Sequence, residues 1–132
     1  MTIQQLTEFG KALRIARLNN GMKLKDMAEI AEVSSAHMSS IEMGRKEVSG
    51  SIVEKLANAL RLNHEEKEDL VMMAMRSNKK VRIDLDAAND SGLEAATLFA
   101  RHFSDLSPEA LDRITSVVKE EIKKNSKEET TM

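Results

Sequence analysis

Aromatic side chains, on which β-sheets depend heavily, are almost missing from this chain. Its 132 residues include three Phe, no Tyr and no Trp, whereas sheets favour aromatic and β-branched residues. One Pro and five Gly leave long stretches free of the two residues that most strongly break helices. The composition therefore predicts a mostly α-helical protein, with one domain and an extension or two very small domains.

Composition also excludes several kinds of site and location. The absence of Cys rules out disulfides, thiolate zinc sites and Cys nucleophiles, and it is compatible with a reducing cytoplasm. Residues 1–9 lack the basic and apolar regions of a signal peptide. No apolar run approaches the roughly 20 residues that span a bilayer. We therefore expect a cytoplasmic protein that has no contact with a membrane.

The spacing of apolar residues predicts five short helices in the first part of the chain. In the second of them, Leu24, Met27 and Ala31 recur at positions that share one helix face. Gly21 and Gly44 should end the first and third helices, because Gly readily adopts the left-handed conformation found at helix ends. The predicted helices cover residues 7–20, 24–31, 35–43, 52–60 and 64–75, and the candidate N-caps are Ser34 or Ser35, Ser49 or Ser51, and Asn63.

The pattern changes after a polar break at residues 77–80. Apolar and charged residues alternate over 81–86, which is the period-two signal of a strand. A turn at 89–92 then precedes a helix over 93–103, and Ser107 with Pro108 begins a second helix. Both helices carry an apolar stripe. The residues that we assign to a dimer interface on the strand and the two helices are Val81, Ile83, Leu85, Phe99, Phe103, Leu111, Ile114 and Val118.

Two short helices joined by a tight turn, with small polar residues on the second, describe a helix-turn-helix at residues 24–43. Helical bundles of every function contain such pairs, so a plain bundle stays open on periodicity alone. Residues 33–46 read VSSAHMSSIEMGRK and resemble the phage-repressor-like helix-turn-helix family, also called the Cro/C1-type or XRE family. The shared pattern is V-S-x-x-x-apolar-S-x-I-E-x-G-basic. The resemblance continues through 52–60 and covers residues 7–76.

The resemblance implies a five-helix, lambda-repressor-like DNA-binding domain whose third helix enters the major groove. Its base-reading positions are then Ser35, Ala36, His37 and Ser40. Serine hydroxyls donate to or accept from base edges, and Ala contacts a thymine methyl group. A simpler role remains open for His37 as a solvated residue, and for one of Ser34 and Ser35 as a helix cap. The residues expected at the DNA are Lys23, Lys25, Ser34, Ser35, Ala36, His37, Ser40, Arg45 and Lys46.

Two departures from the family pattern affect these contacts. Family members often have Thr or Ser followed by Gln at the start of the second helix, where this chain has Lys23 and Leu24. A phosphate contact there would come from Lys23, Lys25 or backbone amides. The loop after the third helix often has Pro in the family. Here Glu47 stands in that loop, and an acid would repel phosphate unless it points away.

An ion pair is implied between the first helix and the end of the third. Arg17 and Glu42 match the positions where this family often has such a pair. The pair would lock the third helix onto the rest of the domain. Two independent surface charges remain the alternative.

These assignments divide the chain into three segments. A helix-turn-helix DNA-binding domain covers residues 1–77, a strand-plus-two-helix dimerisation segment covers 78–125, and a disordered tail covers 126–132. One such domain presents a single reading helix and covers half of a two-fold operator, so a homodimer is expected. The alternative for the second segment is that its helices fold back on the first domain as extra core.

The resemblance implies a sequence-specific regulator of transcription that binds double-stranded DNA, acting as a homodimeric repressor on an operator. The alternative is the antitoxin of a toxin–antitoxin pair that autoregulates its operon, and a toxin or an anti-repressor protein is then a candidate partner. An enzyme is not expected, because His37, His64 and His102 lie far apart in the sequence and no Gly-rich phosphate loop occurs. We therefore expect no catalytic residue, no metal and no cofactor.

Overall fold

The computed structural model describes residues 6–130, and side chains over residues 6–126. Within this range the regular secondary structure is entirely helical, which confirms the mostly α prediction. The chain divides into two compact units, the first ending at Arg82 and the second beginning at Ile83. The helices are α1 (Glu8–Asn19), α2 (Leu24–Ala31), α3 (Ser35–Glu42), α4 (Gly50–Ala59), α5 (His64–Asn78), α6 (Asp90–His102), followed by a 3-10 turn (Phe103–Asp105), and α7 (Pro108–Thr130).

Polar side chains cap the helices of the first unit. Oγ of Ser34 accepts a hydrogen bond from the backbone N–H of His37 at 3.0 Å, and Oγ of Ser49 accepts one from Ile52 at 3.2 Å. The structure thus selects Ser34 and Ser49 where the sequence left two candidates each. Asn63 caps α5. Each cap satisfies a backbone donor that has no partner inside the helix, so the helix starts are set by local chemistry.

The core of the first unit is built from the apolar faces of its five helices. α1 packs against α3 and α5, α2 packs against α3 and α4, and α4 packs against α5. The helical spacing of apolar residues is what brings these faces together. The largest fully buried side chains are Phe9, Leu13, Met27, Met38, Ile41, Val53 and Leu56.

α1 crosses the end of α3 with backbone against backbone. The crossing lies at Gly10, where a Cβ atom would overlap the carbonyl oxygen of Glu42. Gly weakens a helix interior by about 0.5–1 kcal/mol relative to Ala, so the close approach, and not local preference, explains its presence in α1. This crossing holds the end of α3 close against α1.

The strand predicted over residues 81–86 is absent. These residues adopt no regular secondary structure, and no strand occurs anywhere in residues 6–130. The backbone N–H of Asp86 instead donates to Oδ1 of Asp84 at 2.9 Å. The strand prediction is wrong because alternation of apolar and charged residues shows only which side chains would share a face of a strand. A strand is stable only when neighbouring strands pair with it.

The first compact unit extends past residue 77, where the predicted DNA-binding domain ended. Asn78, the last residue of α5, bonds the backbone of Val48, and Lys80 and Arg82 reach Glu47. These contacts hold residues 78–82 to the first unit. They join positions far apart in the sequence, so a boundary drawn from local polarity could not include them.

α7 is longer than predicted. It continues to Thr130, whereas a disordered tail was expected from residue 126. Residues 127–129 are Lys, Glu and Glu, which favour helices, and no Gly or Pro follows Pro108 to stop the helix. The helix therefore runs into the segment for which a disordered tail is predicted. That tail stays a prediction, and residues 131–132 lie outside the described range.

Candidate nucleic-acid interface

The turn between α2 and α3 is short and closed by backbone hydrogen bonds. Glu32 ends α2 in the left-handed conformation, with φ 60° and ψ 41°. The N–H of Val33 donates to the carbonyl oxygen of Ala28 at 3.0 Å. Helices often end in this way, although Gly is the usual residue. Ser34 follows at once as the cap of α3, so the turn fixes the direction in which α3 leaves α2.

α3 is exposed at its start and buried at its end. Residues 35–37 are exposed, and Ser40, one turn later, is partly exposed. By contrast, Met38, Ile41 and Glu42 are buried. The positions predicted to read bases are therefore accessible to a partner, while the other side of the helix anchors it to the domain.

Basic side chains lie at the start of the helix-turn-helix and in the loop after it. Lys23 and Lys25 stand at the start of α2, Arg45 and Lys46 stand in the loop after α3, and all four are exposed. The backbone N–H of Lys23 donates to Oδ2 of Asp26 at 2.8 Å, so α2 begins without the Thr or Ser that the family often has. Cations in these positions suit contacts to a phosphate backbone.

Glu42 ties the end of α3 to α1. Its Oε1 lies 3.1 Å from Nε of Arg17, and the two side chains are only 3% and 12% exposed. Nη1 of Arg17 also donates to the carbonyl oxygen of Met22 at 3.2 Å. Oε2 of Glu42 lies 3.8 Å from Nε of Arg14. Sequence reasoning missed this last contact, although Arg14 stands one turn before Arg17 on α1 and such positions share a face.

A second connection, which the sequence did not indicate, joins the end of α5 to the loop after α3. Nδ2 of Asn78 donates to the carbonyl oxygen of Val48 at 2.7 Å, and the N–H of Val48 donates to Oδ1 of Asn78 at 3.2 Å. Oε1 of Glu47 lies 3.2 Å from Nζ of Lys80, and its Oε2 lies 3.7 Å from Nη2 of Arg82. The acid that departs from the family pattern is therefore paired with cations that follow α5.

The second unit keeps its apolar side chains at the surface, and none is buried among residues 83–126. The rings of Phe99 and Phe103 pack edge to face with centres 5.3 Å apart, yet Phe103 stays exposed. Leu111 is half-buried, whereas Ile114 and Val118 are exposed. Of the other residues assigned to a dimer interface, Val81, Ile83 and Leu85 are exposed as well.

The described residues include no group of His, Asp and Glu side chains arranged to hold a metal ion. No helix in the range 6–130 combines the length and the apolar character needed to cross a membrane.

The chemistry at the candidate interface is that of hydroxyl, imidazole and cationic side chains. Such groups recognise hydrogen-bonding edges and anions.

Residues 8–70 match the helix-turn-helix domain family, which confirms the helix-turn-helix resemblance of the sequence motif. The chain is also 40% identical over 53 residues to the transcriptional regulator ClgR of Mycobacterium tuberculosis, in each of two strains. This alignment covers 40% of the chain and 47% of the relative. The chain therefore spans about half the length of the curated relatives that it matches.

Two crystal structures of the clp gene regulator ClgR from Corynebacterium glutamicum are also similar to this chain. One is 35% identical, and the match covers 52% of this chain and 86% of that protein with a TM-score of 0.42. The other is 32% identical, and the match covers 71% of this chain and 89% of that protein with a TM-score of 0.43.

Proposed function

We propose that this protein is a sequence-specific regulator of transcription that binds double-stranded DNA and acts as a homodimeric repressor. Its residues 8–70 match the helix-turn-helix domain family. The observation that carries the proposal is the two-sided character of α3, whose first turn is exposed while its last turn is buried. A helix that enters the major groove needs an accessible leading end and a firm anchor behind it. The relative from M. tuberculosis is itself named a transcriptional regulator.

In the proposed complex the start of α3 enters the major groove. Ser35, His37 and Ser40 present hydroxyl and imidazole groups to base edges, and Ala36 presents a methyl group to thymine. Oγ of Ser34 already accepts the N–H of His37, so its first role is to hold this turn in shape. Its hydroxyl hydrogen remains able to donate to a phosphate.

Sequence-independent affinity comes from the cations around α3. Lys23, Lys25, Arg45 and Lys46 neutralise phosphates, and the counterions released from the DNA make binding depend steeply on salt. These contacts set the position of α3 along the groove, while the exposed residues of α3 select the sequence.

A second copy of the chain supplies the second half of the interface with DNA. One α3 covers one half-site, so specific binding needs two copies related by a two-fold axis. α7 has 23 residues and is therefore about 35 Å long. Apolar side chains that are exposed or half-buried recur along it every three or four residues, the spacing with which helices pair along their length. These residues are Leu111, Ile114, Val118 and Ile122.

Repression follows from occupancy alone. A dimer bound across an operator excludes polymerase from the same DNA, so no further activity is required of the chain.

Phe99 on α6 and Phe103 next to it extend the proposed dimer surface beyond α7.

Selection of bound sequences from random duplex DNA by the purified chain tests the proposal. We expect an enriched motif with two-fold symmetry and half-site centres about 10–10.5 base pairs apart, or a multiple of this. The variant His37→Ala with Ser40→Ala should lose the preference for that motif while its far-UV circular dichroism stays unchanged. Failure of the folded protein to enrich any sequence would contradict DNA reading. A motif without two-fold symmetry would contradict the homodimer.

A further inference from the structure

We propose that Lys80 and Arg82 bind DNA phosphates, and that they exchange Glu47 for phosphate when the domain docks. The inference rests on the proposed function and extends the DNA-contacting surface beyond the family match, which ends at residue 70. It assigns a role to three charges that neither the helix-turn-helix motif nor the core explains.

The end of α5 holds this segment in place. Asn78 exchanges two hydrogen bonds with the backbone of Val48, at 2.7 and 3.2 Å. Val48 is 3% exposed, and a buried backbone group that loses its partner is costly. Lys79 then ends α5 in the left-handed conformation, with φ 57°. Residues 80–82 therefore leave the helix beside the loop that follows α3.

The segment and the loop form one basic surface. Lys80 Nζ and Arg82 Nη2 lie 3.2 and 3.7 Å from the two carboxylate oxygens of Glu47. Arg45 and Lys46 directly precede Glu47 in the chain. We call this the loop surface, and Glu47 is the acid within it. Its basic members are Arg45, Lys46, Lys79, Lys80 and Arg82.

The pairing with Glu47 leaves both cations available. The side chains of Lys80 and Arg82 are 66% and 86% exposed, and that of Glu47 is 44% exposed. Exposed ion pairs of this kind add little to stability. Glu47 thus keeps the segment against the loop in the free protein, and the stronger negative field of a phosphate backbone displaces it on binding.

The salt dependence of binding to a duplex tests the phosphate contacts. Fluorescence anisotropy gives the affinity for a labelled duplex at several salt concentrations. The unchanged protein is compared with the double variant that carries Lys80→Gln and Arg82→Gln. Each phosphate contact contributes about 0.9 to the slope of log affinity against log salt, so the slope should flatten by roughly 1.8. The rise in Kd from about 50 to 200 mM salt should then be roughly tenfold smaller than for the unchanged protein. Lys123→Gln with Lys124→Gln is the control, because it removes the same charge from exposed positions of α7.

Glu47→Gln tests the exchange itself. Removal of the competing acid should tighten binding severalfold and leave the salt slope at least as steep, because a charge at the rim of an interface mainly changes encounter and salt dependence. Unchanged or weaker binding of this variant would overturn the exchange.

The outcomes separate the two proposals. If the folded, unchanged protein binds no duplex DNA, the proposed function fails. If it binds, and the variant at Lys80 and Arg82 has the same salt slope as the control, then these residues only brace the loop and the present inference alone is overturned.

Discussion

Arg17 and Glu42 form a nearly buried ion pair between α1 and the last residue of α3, with Nε 3.1 Å from Oε1. The same guanidinium bonds the carbonyl oxygen of Met22, just before α2. One side chain on α1 thus holds both ends of the helix-turn-helix. Its removal should affect the whole domain and not one helix alone.

Glu42→Ala should lower the free energy of unfolding by about 3–5 kcal/mol, because it leaves Arg17 buried without a counter-charge. Urea unfolding is followed by far-UV circular dichroism, since the chain has no Trp or Tyr to report by fluorescence. Glu47→Ala is the control, because its exposed pairs with Lys80 and Arg82 contribute about 0–1 kcal/mol. A double-mutant cycle with Arg17→Ala that gives a coupling energy near zero would contradict the pairing.

The two classes of DNA contact should respond differently to substitution. Arg45→Ala with Lys46→Ala should weaken binding to every duplex about equally, because phosphates carry no sequence information. His37→Ala or Ser40→Ala should act mainly on the selected site, with a loss of roughly 1–3 kcal/mol where a good base contact is removed. Anisotropy titrations with the selected duplex and an unrelated one of equal length give both values. Unchanged affinity after loss of Arg45 and Lys46 would place the docking face elsewhere.

Gly10→Ala should destabilise the protein by at least the 1–3 kcal/mol or so that is typical of overpacking. The added Cβ would meet the backbone carbonyl of Glu42, which cannot move as a flexible side chain can. Gly50→Ala is the matched control, because nothing lies within 4 Å of a Cβ added there. It should stabilise α4 by about 0.4–1 kcal/mol. Equal Tm values for the two variants would mean that the helix crossing is loose.

Val118→Asp should convert the proposed dimer into monomers, because it places a charge in the apolar stripe of α7. Val117→Asp is a close control. Val117 is similarly exposed, at 60% against 51%, but lies about 100° around the helix from Val118. Sedimentation velocity of the full chain and both variants at micromolar concentration gives the oligomeric state. A full chain that is monomeric, or a Val118→Asp variant that stays dimeric, would count against the α7 interface.

The antitoxin alternative has its own signature in the same measurements. A chain that is monomeric alone but co-purifies with a small basic protein encoded beside it would favour that function over a homodimeric repressor. The exposed residues of α6 and α7 would then contact that protein and not a second copy of this chain.

Features set by local chemistry could be predicted from the sequence. Asn63 predicted the start of α5, and the cap of α3 was limited to Ser34 or Ser35, because caps depend on neighbouring residues. The Arg17–Glu42 contact was named only through the family resemblance, since no local pattern links positions so far apart. The accessible side of α3 follows from the apolar spacing that buries Met38 and Ile41.

Features that depend on distant partners could not be predicted. Alternation over residues 81–86 indicated a strand, but pairing requires a neighbour that alternation does not reveal. The bond between Asn78 and Val48 joins two unremarkable positions, and nothing in either local sequence points to the other. The position of Glu47 was identified as a departure from the family, whereas its two cationic partners lie beyond the segment that the family pattern covers.

The contact of α1 with α3 at Gly10 is made by backbone atoms, so its geometry does not depend on which side chains α3 turns toward solvent. Framework and recognition are thereby separable. Under the proposed function, residues 35–37 and Ser40 can be exchanged as a set while the angle at which α3 leaves the domain stays the same. Recognition of a new target sequence would then require four substitutions on an unchanged scaffold. This makes the domain a suitable starting point for repressors that read new operators.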